Sequence, residues 1–236
     1  MKRLLASAFS IALALTGPPA LAAERVGVAA MVQSEVTGTL GGRTKDLATG
    51  DAVFHREVIA ANANGRAQLI FVDETVFSVG AGATVTLDEF VYNPSRKTGS
   101  IVMDVTAGAF RFISGSAKPS TYTIKTPVAL IGVRGTIFSG NVVSANHMTL
   151  KLQQGKLLIC PEPGKRVDGN ISKQTRVRRG EKDCVLIEPG DYVIGSGASE
   201  PPAVDPGILG TDPNDGIDVP DGPINCTIVA GQIICN

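Results

Sequence analysis

The chain has 236 residues, 43% of them hydrophobic, with 22 basic and 22 acidic side chains. That length and hydrophobic share suffice for one sizeable core or two small ones. The balanced charge argues against a nucleic-acid binder, which needs a basic surplus. With 27 glycines, no tryptophan and no long helix-period pattern after the first segment, the composition predicts many short strands joined by tight turns.

Residues 1–22 read as a secretory signal peptide. Lys2-Arg3 supply its positive start, Leu4 to Leu15 the apolar segment, and Ala20-Leu21-Ala22 a small-residue cleavage site. The apolar segment is too short to span a bilayer, and Pro18-Pro19 would end any helix there. Cleavage removes Lys2 and Arg3, leaving 20 basic against 22 acidic residues, a net charge of about −2. No cysteine stands directly after the cleavage point, and no later window of eighteen residues is wholly apolar. The mature chain is therefore expected in the periplasm or outside a Gram-negative-type cell, with no integral membrane segment.

From Val26 the strand signals come regularly. Val26 to Val36 is apolar and β-branched, with Thr37-Gly38 and Gly41-Gly42 as breaks, and Ala48 to Asp51 forms a turn before Val53. Ala67, Leu69 and Phe71 alternate with Arg66 and Gln68, the pattern of a half-buried strand. Asp73-Glu74 then makes a hairpin turn into Val76 to Val79. Ala83, Val85 and Leu87 alternate with polar residues, Tyr92 to Gly99 reads as a polar loop, and Ile101, Met103 and Val105 alternate again. Phe110 and Phe112 bracket Arg111; Met148, Leu150 and Leu152 form a later strand, with Val185 to Ile187 and Tyr192 to Ile194 closing the set. Such spacing predicts an all-β domain.

The distinctive stretch is Ile124 to Phe138. Its Val128 to Ile131 run looks buried on both faces, and Gly132-Val133-Arg134-Gly135 sets an arginine between two glycines. Glycines there suggest positive φ or close approach by another segment. Thr126, Pro127, Gly132, Val133, Arg134, Gly135 and Thr136 are the candidate binding residues. Arg134 is expected as a buried strut to Asp51, Asp73 or free carbonyls, with an exposed guanidinium gripping a partner's carboxylate as the alternative.

The string TPxAxIGVRGT over Thr126 to Thr136 resembles the signature of the FecR domain family. Gly50 to Val53, Asn64 to Val79, Gly108 to Gly115 and Gly155 to Leu157 agree with that family in the same order, so the resemblance spans roughly Val26 to Gly195. It implies an all-β domain of short coiled strands, a β-roll or solenoid-like stack, with a β-sandwich as the alternative. It also implies a non-enzymatic regulator or sensor. Regulators of this family carry a cytoplasmic tail acting on a sigma factor, then a membrane helix, then this domain, which receives a signal from an outer-membrane iron transporter. Here a cleavable leader stands in place of tail and helix. What the resemblance then implies is an exported module that engages another envelope protein or a surface polymer. A glycan-binding or adhesive module is the alternative, although eight phenylalanines and three tyrosines make its aromatic supply thin.

The four cysteines, in an exported chain, read as disulfides. A two-residue loop at Ala230-Gly231 puts Val229 opposite Gln232 and makes Cys226–Cys235 a non-hydrogen-bonded pair, about 4.5 Å apart at Cα. That bridge would hold together a terminal hairpin marginal by itself. The remaining pair, Cys160–Cys184, closes a loop worth roughly 3–4 kcal/mol in the chain-entropy model. Residues 196–225, rich in Pro, Gly and Asp, read as a flexible linker between the main domain (23–195) and the hairpin (226–236). Within the linker, Asp212 to Asp218 resembles a calcium loop but lacks the EF-hand spacing and closing glutamate.

Nothing assembles into a catalytic constellation. Asp73 and Glu74 are neighbours on the chain and would point to opposite faces of a strand. His55 and His147 sit in no recognisable motif, and the basic run Lys173, Arg176, Arg178, Arg179 and Lys182 is interrupted by Glu181, reading as a solvated loop inside the disulfide. No metal ligand set, cofactor loop or triad is expected.

Overall fold

A computed structural model describes residues 23–118, 121–169, 174–179, 182–195, 226–229 and 232–235; for 174–179, 182–183 and the last two segments it describes the backbone only. The leader, the linker with its Asp212 to Asp218 loop, and Lys173 lie outside the described residues.

Among the described residues, eighteen strands follow in chain order. The first eight are β1 (Arg25–Gln33), β2 (Val36–Leu40), β3 (Arg43–Asp46), β4 (Ala52–Phe54), β5 (Val58–Ala61), β6 (Arg66–Phe71), β7 (Val76–Val79) and β8 (Thr84–Asn93). Then come β9 (Thr98–Ile113), β10 (Tyr122–Lys125), β11 (Ala129–Ser144), β12 (His147–Pro161) and β13 (Arg166–Gly169). The last are β14 (Gln174–Arg179), β15 (Lys182–Ile187), β16 (Gly190–Gly195), β17 (Cys226–Val229) and β18 (Gln232–Cys235). The first sixteen form one hydrogen-bonded sheet; β17 and β18 pair separately.

That sheet folds back on itself. One layer runs β4-β1-β6-β7-β9-β11-β12-β16-β13. The other runs β3-β2-β5-β8-β9-β10-β11-β12-β15-β14. The long strands β9, β11 and β12 belong to both. In β9 the switch falls at Gly108, before which it pairs with β8 and β10 and after which with β7 and the end of β11. In β11 and β12 it falls at Gly135 and Gly155. All three glycines have positive φ, at 78°, 62° and 87°. A bend in this backbone region is where a side chain would be strained, so each long strand changes layer at its glycine.

Between the layers lies a single main core. Phe71 meets Phe90 across it at 5.3 Å between ring centroids, and Phe112 meets Tyr122 at 5.4 Å. Gly140 faces inward because a Cβ there would lie 2.6 Å from the Phe110 ring. A second, smaller apolar cluster of Leu158, Cys160 and Cys184 packs with Leu130 and Leu186 apart from that core. Cys160 and Cys184 are disulfide-bonded, with Cα atoms 4.2 Å apart on the neighbouring strands β12 and β15.

The all-β roll-like reading holds, with differences of detail. Thr37-Gly38 lies inside β2 instead of breaking the chain, because β2 gains partners on both sides. The expected loop from Tyr92 to Gly99 contracts to a turn, since β8 and β9 pair out to Asn93 and Thr98. Strand β6 is buried on both faces, Gln68 included, so alternation alone understates its cover. The basic run does not form a loop: Gln174–Arg179 and Lys182–Ile187 pair as a hairpin. In β17–β18, Cys226 is opposite Cys235 and Val229 opposite Gln232; the bridge itself would involve side chains outside those described.

Candidate functional site

The signature begins with a turn that its own residues build. Thr126, 9% exposed, turns its hydroxyl back on the chain: it donates to the Ala129 carbonyl at 2.8 Å and accepts from the Val128 and Ala129 amides. This is a side-chain-stabilised turn, with Pro127 presetting its backbone. Lys165 secures the outer side by donating to the Pro127 and Ala145 carbonyls. Val128, Ala129 and Ile131 enter the core while Leu130 is half-buried, close to the expected two-sided burial.

Gly132 and Gly135 serve different ends. Gly132 has no positive φ, and a Cβ there would make ordinary contact with Leu158 at 3.6 Å. Gly135 carries the layer switch at φ 62°, with the β11–β12 register shifting between Arg134 and Ile137. Opposite it, a Cβ on Gly155 would come within 2.1 Å of the Gly135 carbonyl oxygen. Close approach therefore acts at Gly155, and positive φ at both. Val133 is core, at 1% exposure. Thr136 is buried, with its amide donating to the Ser114 hydroxyl at 2.8 Å; its own hydroxyl is unpartnered among the described residues.

Arg134 is not the expected buried strut. Its side chain is exposed, and among the described residues it forms no ion pair or hydrogen bond. Both acids expected to hold it are engaged elsewhere. Asp51 pairs with Lys45 at 2.9 Å, and that hydrogen bond, with one from the Ala48 amide, holds its carboxyl below the usual range. Asp73 serves a separate node. The bend at Gly135 points Arg134 outward, opposite Lys156, whose ammonium bridges Glu188 at 2.9 Å. The corner thus presents an exposed guanidinium with no partner among the described residues, suited to a carboxylate or another planar anion.

The Asp73 node is legible in the sequence only as a turn. Glu74, at φ 69°, does form the β6–β7 turn as expected, but Asp73 is fully buried and tied across it. Its carboxylate accepts from the Thr75 amide at 3.3 Å, the Thr75 hydroxyl at 2.7 Å and the Tyr122 hydroxyl at 2.6 Å. Its carbonyl accepts from the Ser116 amide and hydroxyl. The Tyr122 hydroxyl also accepts from the Ala117 amide. Burial first, and the Asp73 bond second, push the Tyr122 phenol far above its ordinary pKa. Asp73 thus joins the β6–β7 turn to Ser116 and to Tyr122 at the start of β10.

A groove of about 390 Å³ lies beside the Thr126-Pro127 turn, lined by Asp104, Lys125, Pro127, Leu130 and Glu162 among others. Burial raises the pKa of Asp104 against the opposing pull of Lys125, and the hydrogen bond to Asp88, at 2.7 Å, raises that of Lys125. The groove is mixed in charge and its lysine is already paired. His55 is hydrogen-bonded to the Asp88 carbonyl at 2.9 Å, while His147 stands half-buried at the start of β12. Phe110 and Phe112 are core residues, not a stacking platform. No group of three or more His, Cys, Asp and Glu is arranged for a metal among the described residues. None of their helices is long and apolar enough to cross a membrane.

Residues 57–158 match the family model of the FecR protein. Over that segment the chain is similar to the FecR family. The match runs from just before β5 into β12, short of the Val26 to Gly195 span expected, although the hydrogen-bonded sheet continues on both sides of it. No curated protein matches the chain. Two crystal structures of a provisionally assigned anti-sigma factor from Parabacteroides distasonis ATCC 8503, at 2.50 and 1.65 Å resolution, are similar at 16% identity. Their TM-scores are 0.38 and 0.37; each comparison covers 56% of this chain, which spans 60% of the length of those solved chains.

Proposed function

We propose that this FecR-domain protein is exported, turns over no substrate, and serves in the cell envelope as a protein-binding or signal-sensing module. The observation that carries this reading is Arg134: the family signature builds a buried, hydrogen-bonded turn and then delivers an exposed guanidinium, unpaired among the described residues, at the layer-switch corner. A rigid framework displaying a charged group suits recognition by a carboxylate-bearing partner. Direct action on a sigma factor is not part of the proposal. A glycan-binding role finds less support, because Phe71, Phe77, Phe110, Phe112, Phe138 and Tyr122 are all buried in the core.

Crosslinking the purified mature protein in an envelope fraction tests the reading. A discrete crosslinked species, weakened by Arg134→Ala, is expected. Hydrolysis of envelope substrates without any crosslinked partner would point to an enzyme instead and overturn it. N-terminal sequencing of the cell-fractionated protein checks export: a start at Ala23 supports it, and retention of residues 1–22 in a cytoplasmic form refutes it.

A further inference from the structure

The outer face of the layer containing β1, β6, β7, β9 and β11 carries side chains that a fully solvated sheet face has no need of. Val28 is opposite Ile70, Ile70 opposite Val76, Val76 opposite Ile113, and Ile113 opposite Ile137. None of the five belongs to the main core. Val28 and Ile70 are each 7% exposed, and the other three are half-buried. With neighbouring strands about 4.8 Å apart, they form an aliphatic bar about 19 Å long across five strands.

Two residues along each strand, about 6.8 Å away, a polar row runs parallel to the bar: Gln68, Ser78, Arg111 and Ser139 are opposite one another in turn. Gln68, Ser78 and Ser139 are buried and Arg111 is half-buried. Among the described residues the Arg111 guanidinium has neither hydrogen bond nor ion pair. Burial lowers its pKa, and no acid offsets that. A guanidinium offers five donors in a planar fork whose best match is a carboxylate, and leaving a desolvated charge unpaired is costly.

We propose that this face docks a segment of another protein whose aliphatic side chains lie along the half-buried Val76–Ile113–Ile137 end of the bar and whose Asp or Glu carboxylate pairs with Arg111. The proposal rests on the reading of the chain as a protein-binding module and adds a second surface to it. The bar ends on β11, the strand that also carries Arg134.

Phage displaying random dodecapeptides, panned against the mature full-length protein, provide the test. Wild type should enrich peptides that combine aliphatic residues with Asp or Glu, and Arg111→Gln, shown to fold by its melting temperature, should bind them at least roughly tenfold more weakly. Arg111→Lys should recover only part of that loss. Peptides without an acid, or equal binding by wild type and Arg111→Gln, would overturn this surface while leaving the binding-module reading standing. Self-association abolished by Arg111→Gln would place a second copy on the face and overturn the proposal. Binding seen only after deletion of residues 196–225 would make the chain's own acidic segment the occupant, with the same result. Failure of wild type to enrich any peptide also counts against this surface, and the crosslinking experiment decides the wider reading separately.

Discussion

Asp73 and Arg134 are charged residues at bends of the same sheet, and they end in opposite environments. Asp73 is fully buried under three donated hydrogen bonds, while Arg134 stands in solvent with none among the described residues. The difference lies in what each bend brings alongside. The β6–β7 turn is met by Ser116, just after β9, and by Tyr122 at the start of β10. The Gly135 bend opens outward, and its near neighbour Gly155 offers no side chain at all. A charge in a motif becomes a strut only where a distant segment supplies partners for it.

Breaking the buried side of this contrast should have the largest effect. Asp73→Ala orphans the Tyr122 and Thr75 hydroxyls in the interior, and a loss on the order of 3–5 kcal/mol in denaturant unfolding is expected; a loss under about 1 kcal/mol would mean that the node is not structural. Next come the glycines of the open corner. Gly155→Ala must displace the Gly135 carbonyl and should cost about 2–3 kcal/mol, whereas Gly135→Ala, with open space around its Cβ, should cost about 1 kcal/mol from backbone conformation alone. Equal losses would show that close approach contributes nothing there.

Glu57 sharpens the comparison, being a carboxylate that is 1% exposed but held by one described donor, the Phe54 amide at 2.8 Å. Burial raises its pKa. Its folded pKa lies above the unfolded one, so its contribution to stability is fully present below the unfolded value and is lost as pH rises through the folded value. Glu57→Gln should therefore melt higher than wild type at pH 7, with the gap closing below about pH 4. A gap that widens in acid would contradict this sign. The smallest stability effect belongs to Arg134→Ala, expected within about 0.5 kcal/mol of wild type, even as crosslinking to a partner falls.

Much of the fold can be read from the chain because its signals are local. Glycine turns, two-residue alternation and the Asp73-Glu74 hairpin follow from neighbours in sequence, and the Cys160–Cys184 pairing follows as the pair left over once Cys226 is set opposite Cys235. The rest needs non-local knowledge. Nothing in Thr98 to Ile113 says that its two halves pair with different neighbours, and Gln68 looks exposed until the register sets it beside Ser78. Arg111 stands out in the sequence only as the residue between two phenylalanines, since the aliphatic bar beside it draws one side chain from each of five strands. Arg134 looks like a strut because of its flanking glycines, yet Gly135 is there to bend the backbone.

The three shared strands also govern how load travels through the molecule. Because β9, β11 and β12 pass unbroken from one layer to the other, neither layer can be peeled off as a separate plate. A pull applied at either outer face would run along covalent backbone through Gly108, Gly135 and Gly155. A partner seated on one side would thus be felt on the other through the geometry of three stitches.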